Sequence, residues 1–110
     1  MLRERLATLL ASIPGALLIG QAAGAQEALL GIREKAAEVV VLDIQLEQGS
    51  GFDVLRELQK SSPGTEVYML TNFASESYRK AAERYGARGF FDKSTEFERL
   101  REVLVKRAAA

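Results

Sequence analysis

The feature that most constrains the fold of this chain is a regular alternation of short apolar runs with longer segments of helical spacing. The central run, residues 39–42, reads Val-Val-Val-Leu without a polar interruption, which is typical of a parallel strand covered by helices on both faces. Other short apolar runs lie at residues 16–20, 67–70 and 89–91. The alternation predicts an α/β fold in which these four runs form one parallel sheet with helices on both faces.

The segments between these runs carry apolar residues three and four positions apart, which predicts helices that each bury one face. Ahead of the first run, four leucines at helical spacing predict a further helix: Leu2, Leu6, Leu9 and Leu10. Alternating folds of this kind ordinarily begin with a strand, yet no apolar run precedes this helix. The sequence therefore predicts a sheet that lacks the strand with which such a fold begins.

The composition excludes several kinds of reaction and of binding partner for this chain. Its 110 residues suffice for one domain, residues 1–110, and we expect no output domain. The absence of Cys and His excludes a thiol nucleophile and imidazole acid–base catalysis from its own side chains. Lys plus Arg and Asp plus Glu number 15 each, so we expect no nucleic-acid partner and no membrane surface. Since neither a membrane span nor a secretory signal is evident, we expect a cytoplasmic protein.

Three of the predicted strands are followed by a polar residue that can take part in chemistry. Asp43 follows the central run, Thr71 follows the next, and Lys93 comes just after the last. In a doubly wound parallel sheet, functional sites lie beyond the carboxyl ends of the strands. A carboxylate, a hydroxyl and an ammonium group placed there can hold a phosphoryl group, with the carboxylate as nucleophile. Each residue alone would be an ordinary solvated side chain, but together they predict a phosphoryl site.

These residues belong to a longer pattern. From residue 2 to residue 107 the sequence resembles a response-regulator receiver domain, a family with a flavodoxin-like fold. The run that ends in Asp43 and the Gly-Ser-Gly-Phe stretch at residues 49–52 resemble the family's phospho-acceptor strand and loop. The resemblance implies that Asp43 is the phospho-acceptor and a magnesium ligand, and that Gln45 offers its backbone carbonyl to the same ion.

The second half of the chain continues the resemblance. Thr71, after Met-Leu, matches the family's switch Thr or Ser, and Gly86 matches the turn before the last strand. Lys93 matches the family's strand-end Lys, and Phe90, three residues earlier, matches its switch aromatic. The resemblance implies that Thr71 and Lys93 bind the phosphoryl group and that Phe90 responds to it.

The chain departs from the family at its beginning. The resemblance implies a first strand that ends in a magnesium-binding acidic pair, and neither occurs ahead of the first predicted helix. Because Mg²⁺ requires about six oxygen ligands, Asp43 and the Gln45 carbonyl predict weak or absent magnesium binding. The family's strand order, 2-1-3-4-5, makes the missing strand a central one. We expect a homodimer through strand exchange or, as the less favoured alternative, direct pairing of residues 16–20 with residues 39–43.

The resemblance implies phosphorelay signal transduction in a two-component system. A sensor histidine kinase or a phosphotransfer protein would supply the phosphoryl group to Asp43. The last two helices would then contact a downstream protein target or a second copy of the chain. Two alternatives are a pseudo-receiver that binds proteins without phosphorylation, and a phosphohydrolase of the haloacid dehalogenase type. The second is disfavoured because Gln45 stands where that type needs an Asp. We therefore expect a signalling switch, not an enzyme.

Overall fold

The computed structural model describes Thr8, Ala11 and residues 16–19, 24–43, 50–72 and 75–109. Its strands form one parallel sheet in the order β1-β2-β3-β4: β1 (Ala16–Ile19), β2 (Val39–Asp43), β3 (Glu66–Thr71) and β4 (Gly89–Asp92). The helices that follow them are α1 (Ala25–Glu34), α2 (Gly51–Ser61), α3 (Glu76–Arg84) and α4 (Phe97–Ala109). The predicted α/β alternation is confirmed. The predicted first helix falls outside the described residues except at Thr8 and Ala11, which are both helical.

Strand β1 pairs directly with β2 within the same chain. Ala16 lies opposite Val39, and Ile19 lies opposite Leu42. Strand exchange between two chains is the arrangement favoured from the sequence, whereas the structure has the other alternative, in which β1 and β2 pair directly. The physical reason is that β2 is apolar on both faces and needs a hydrogen-bonding neighbour on each side, which β1 supplies through the α1 crossover. Strand exchange is therefore not required to complete this sheet.

Two apolar layers cover the two faces of the sheet. Because successive strand residues point to opposite faces, β2, β3 and β4 contribute to both layers. One layer packs against α1, α2 and α3, and its members include Val40, Leu42, Met69, Phe90, Ile32, Leu55, Leu58 and Ala82. The other packs against α4, and its members include Val41, Tyr68, Leu70, Phe91, Phe97, Leu100 and Leu104. The predicted arrangement of helices on both faces is confirmed.

Local sequence signals place the helices that leave the carboxyl edge of the sheet. The Ser50 hydroxyl accepts a hydrogen bond from the Phe52 amide, while the Ser50 amide donates to Asp53, which forms a capping box at the start of α2. The Ser75 hydroxyl caps α3 in the same way, accepting from the Tyr78 amide at 3.1 Å. The two caps fix where the helices begin that follow β2 and β3 along the chain.

Gly86 ends α3 and turns the chain toward β4. Its φ of +90° lies in the region that favours glycine. Its amide donates to the carbonyl of Glu83, and the Ala87 amide donates to the carbonyl of Ala82, the pattern of a Schellman motif. A Cβ at Gly86 would also clash with the side chain of Gln59. The turn that the sequence analysis assigns to Gly86 is confirmed.

Candidate phosphoryl-binding site

The ends of three neighbouring strands meet at one edge of the sheet. Asp43 pairs with Leu70 in the register of β2 and β3, and Thr71 pairs with Asp92 in the register of β3 and β4. The Lys93 amide extends the ladder by donating to the Thr71 carbonyl at 2.8 Å. Since adjacent strands lie about 4.8 Å apart, the backbones of Asp43 and Lys93 are roughly two such spacings apart. The side chain of Asp43 and residue Gln45 fall outside the described part.

Thr71 lies at the inner end of this edge. Of the side chains that the structure describes, it is the only polar one in the buried class, with 0% of its surface exposed. Thr71 is the last residue of β3 and follows the buried run at residues 67–70, so its hydroxyl lies in the interior of the sheet. A buried hydroxyl at a strand end can donate to a group bound at the edge with little competition from water.

Phe90 has a second role that the sequence analysis does not assign. Only 7% of its surface is exposed, and it belongs to the apolar layer that includes Met69 and Ala82. The guanidinium carbon of Arg79 lies 4.9 Å from the centre of its ring, within the range of a cation–π contact. The switch role implied by the resemblance stays a prediction, but the buried position makes Phe90 a core residue as well.

A carboxylate that the sequence analysis missed organises the end of β4. One oxygen of Glu96 accepts from the Asp92 amide at 3.1 Å and from Arg79 at 3.0 Å. Its other oxygen accepts from Arg99 at 3.2 Å. Arg79 lies 17 positions earlier in the chain than Glu96, and nothing in residue spacing signals a contact over that distance. Only the packing of α3 against β4 brings the two side chains together.

The turn that carries Lys93 is held by the preceding residue. The carboxylate of Asp92 accepts from the Ser94 hydroxyl at 2.6 Å, the Ser94 amide at 2.8 Å and the Thr95 amide at 3.2 Å. These bonds, that of the Ser94 hydroxyl first, lower the pKa of Asp92 below its ordinary value. The backbone of Lys93 is therefore held in two ways. Its amide donates to the Thr71 carbonyl, and the Asp92 carboxylate binds the two residues that follow Lys93.

The pKa of Glu96 gives the first testable prediction. Burial raises it, but hydrogen bonds from the Asp92 amide and Arg79, with the charges of Arg79 and Arg99, leave the pKa below its ordinary value of 4.5. A carboxylate with a lowered folded-state pKa stabilises the protein above its unfolded pKa, and this contribution is lost as the pH falls through the folded value. We expect Glu96→Gln to lower the free energy of unfolding by about 1–2 kcal/mol at pH 7.

Urea unfolding of both proteins across a pH series checks this. The difference between wild type and Glu96→Gln should shrink as the pH falls below 4.5, the ordinary pKa of a Glu carboxyl. Glu98→Gln is the matched control, because Glu98 lies in the first turn of α4, two positions after Glu96, and its ion pair with Arg101 at 3.8 Å is exposed. Its effect should stay within about 0.5 kcal/mol. A Glu96→Gln effect that does not change with pH would contradict the assigned charge.

The described residues do not complete a magnesium site. Among them, no cluster of three or more His, Cys, Asp or Glu side chains could hold a metal ion. The two donors implied by the resemblance, the Asp43 carboxylate and the Gln45 carbonyl, fall short of the roughly six oxygen ligands that Mg²⁺ requires. Of the helices the structure describes, none is long and apolar enough to span a bilayer.

A parallel sheet covered by helices on both faces, with polar residues at its carboxyl edge, defines the flavodoxin-like class of domains. The family model of the response regulator receiver domain matches residues 1–105. YvfU, a transcriptional regulatory protein of Bacillus subtilis, is 35% identical over 89 residues, which are 81% of this chain and 44% of YvfU. The chain therefore belongs to the response-regulator receiver-domain family of two-component systems.

Solved structures agree with this assignment. A two-component response regulator of the LuxR family from Aurantimonas sp. SI85-9A1 superposes with a TM-score of 0.78 and 25% identity, over 98% of this chain and 77% of that one. A DNA-binding response regulator of the LuxR family from Staphylococcus aureus has a TM-score of 0.68 and 25% identity, over 79% of this chain and 72% of that one.

The relatives also bear on function. The chain spans less than half the length of YvfU. Receiver domains of transcriptional regulators act as signalling switches rather than as conventional enzymes. Because the similar proteins include a transcriptional regulator and a DNA-binding response regulator, the expectation that nucleic acid plays no part finds no support among them.

Proposed function

We propose that this receiver domain accepts a phosphoryl group on the carboxylate of Asp43 and passes the signal on by changing the contacts of α3, β4 and α4 with a protein target. The observation that carries the proposal is the register of the sheet. It brings Asp43, Thr71 and Lys93 to the ends of three neighbouring strands, with the Lys93 amide bonded to the Thr71 carbonyl at 2.8 Å.

The reaction follows from these three groups. A carboxylate oxygen of Asp43 attacks the phosphorus atom, and the bond from phosphorus to the donor breaks. The donor is a phosphohistidine of a sensor kinase or phosphotransfer protein, whose ring nitrogen keeps the electron pair of the broken bond. The chain contains no His of its own. The Lys93 ammonium and the Thr71 hydroxyl donate to the phosphoryl oxygens, so they stabilise the charge that develops on them.

Phosphoryl uptake by Asp43→Asn tests the proposal. The wild-type chain, incubated with acetyl phosphate or a phosphorylated phosphotransfer protein, should gain one phosphoryl group by intact mass. Asp43→Asn should gain none, because an amide is not a nucleophile of this kind. Asp53→Asn is the matched control, since an Asn at this position of α2 can still accept the Ser50 amide bond. A wild-type chain without uptake from either donor would contradict the proposal.

Lys93→Ala adds a second arm to the same experiment. Loss of the ammonium group should lower the rate of uptake by about tenfold, or 1.4 kcal/mol of transition-state stabilisation. Lys80→Ala removes an exposed Lys from α3 and should leave the rate unchanged. Both variants should keep the wild-type melting temperature within a few degrees. A loss of several kcal/mol in Lys93→Ala would instead assign Lys93 a structural role.

The pseudo-receiver is the second candidate. The observation that favours it is the donor set, since only Asp43 and the Gln45 carbonyl stand for the family's metal ligands in this sequence. A pseudo-receiver would bind its protein target equally well as the wild type and as Asp43→Asn. Binding that requires uptake on Asp43 would exclude it.

A further inference from the structure

The free edge of the sheet is covered by two side chains instead of another strand. Strand β4 is the last in the sheet order, and the Lys93 amide points from it toward β3. Because peptide groups alternate in direction along a strand, those of Phe90 and Asp92 point away from β3. Arg79 donates to the Phe90 carbonyl at 3.0 Å, and Glu96 accepts from the Asp92 amide at 3.1 Å. Both backbone groups therefore have partners at an edge that would otherwise attract another chain.

The two covering side chains are also bonded to each other. Arg79 reaches Glu96 at 3.0 Å, and the same guanidinium lies over the ring of Phe90. Isolated surface ion pairs contribute little to stability. This pair differs because Glu96 is only 18% exposed and both partners also bind backbone groups, so the contacts form one network.

The network joins the two parts of the candidate site. Helix α3, which carries Arg79, begins five positions after Thr71, so only a short segment of chain separates the Thr71 backbone from the start of that helix. Strand β4 leads directly into Lys93, whose position depends on the Asp92 peptide that Glu96 holds. Arg79 and Glu96 therefore connect the chain after Thr71 with the chain before Lys93.

We propose that Arg79 and Glu96 are positioning residues of the phosphoryl site, which couple α3 to the end of β4. Neither residue touches the phosphoryl group. Together they keep the backbone of Asp92 and Lys93 in place at the end of β4. A shift of α3 moves the Arg79 guanidinium away from Phe90 and Glu96 and so weakens these contacts. The proposal rests on the phosphoryl uptake by Asp43 proposed above, and it adds the element through which that event reaches the α3–β4–α4 surface.

Amide hydrogen exchange in the unmodified protein tests the coupling directly. In Arg79→Gln and in Glu96→Ala, which removes the acceptor of the Asp92 amide, the amides of Asp92 and Lys93 should exchange about tenfold faster than in the wild type. Arg79→Lys keeps the charge but cannot bond the Phe90 carbonyl and Glu96 with one planar fork, so it should not restore protection. Arg101→Gln is the matched control, because its contact with Glu98 at 3.8 Å is exposed, and it should leave both amides unchanged.

The rate of phosphoryl uptake is the second readout. It should fall about fivefold or more in Arg79→Gln. Unchanged exchange of the Asp92 and Lys93 amides would overturn the proposal, as would faster exchange shared equally by the core amides of β2 and β3. Faster local exchange with a wild-type uptake rate would also overturn it, because Arg79 and Glu96 would then only cover the backbone groups at the edge of β4. If the wild type takes up no phosphoryl group, the proposed function fails. The exchange of the Asp92 and Lys93 amides then decides by itself whether Arg79 and Glu96 hold the end of β4.

Discussion

Replacing Phe90 with alanine is expected to lower the free energy of unfolding by about 3–5 kcal/mol, and Phe91→Ala should have an effect of similar size. The two rings are 7% and 8% exposed and lie in different layers, Phe90 against α2 and α3 and Phe91 against α4. Each truncation leaves a cavity that neighbouring side chains cannot fill completely. Since a whole domain is stable by only about 5–15 kcal/mol, both variants should be close to unfolding.

The pair separates a core role of Phe90 from a switch role. Phe90→Leu and Phe91→Leu keep most of the apolar volume, so both should fold and lose similar amounts of stability in urea unfolding. Only Phe90→Leu removes the ring over which Arg79 lies at 4.9 Å. We expect Phe90→Leu alone to alter phosphoryl uptake by Asp43. Equal uptake by the two leucine variants would leave Phe90 a core residue without a switch role.

Adding a strand ahead of the first helix should change the order of the sheet. An extension of about ten residues ahead of Met1, with an apolar strand and an acidic pair, is expected to insert between β1 and β2. The insertion must open a ladder in which Ala16 faces Val39 and Ile19 faces Leu42. In return it can bury about five apolar side chains, at roughly 1.5–3 kcal/mol each. The acidic pair would add the carboxylates that the metal site lacks, so uptake should become Mg²⁺-dependent and about tenfold to a hundredfold faster.

Cross-linking checks the strand order. The chain contains no Cys, so the double variant Ala16→Cys, Val39→Cys introduces a single pair at directly opposed positions. Strands about 4.8 Å apart allow a disulfide, which should form within the 110-residue chain and fail to form in the extended one. A disulfide that links two chains would instead support strand exchange. A bond within the extended chain would show that the new strand does not insert there.

The strand ends show how far sequence reasoning reaches. The run at residues 39–42 predicts a doubly covered strand because every position in it is apolar, and all four residues are 0% exposed in the structure. Parallel strands that alternate with helices must end at the same edge, so the gathering of Asp43, Thr71 and Lys93 follows from chain order alone. The roles of these residues stay predictions, since their chemistry depends on side-chain positions that chain order does not specify.

What the sequence by itself determined is what depends on local pattern: the alternation of elements, the apolar layers and the turn at Gly86. Only the tertiary structure decided which strands became neighbours and which distant side chains met. The pairing of β1 with β2 depends on competition between two edges, which residue spacing does not encode. The contact of Arg79 with Glu96 spans 17 positions and exists because α3 packs across the free edge of β4, where unpaired backbone groups of Phe90 and Asp92 need polar partners.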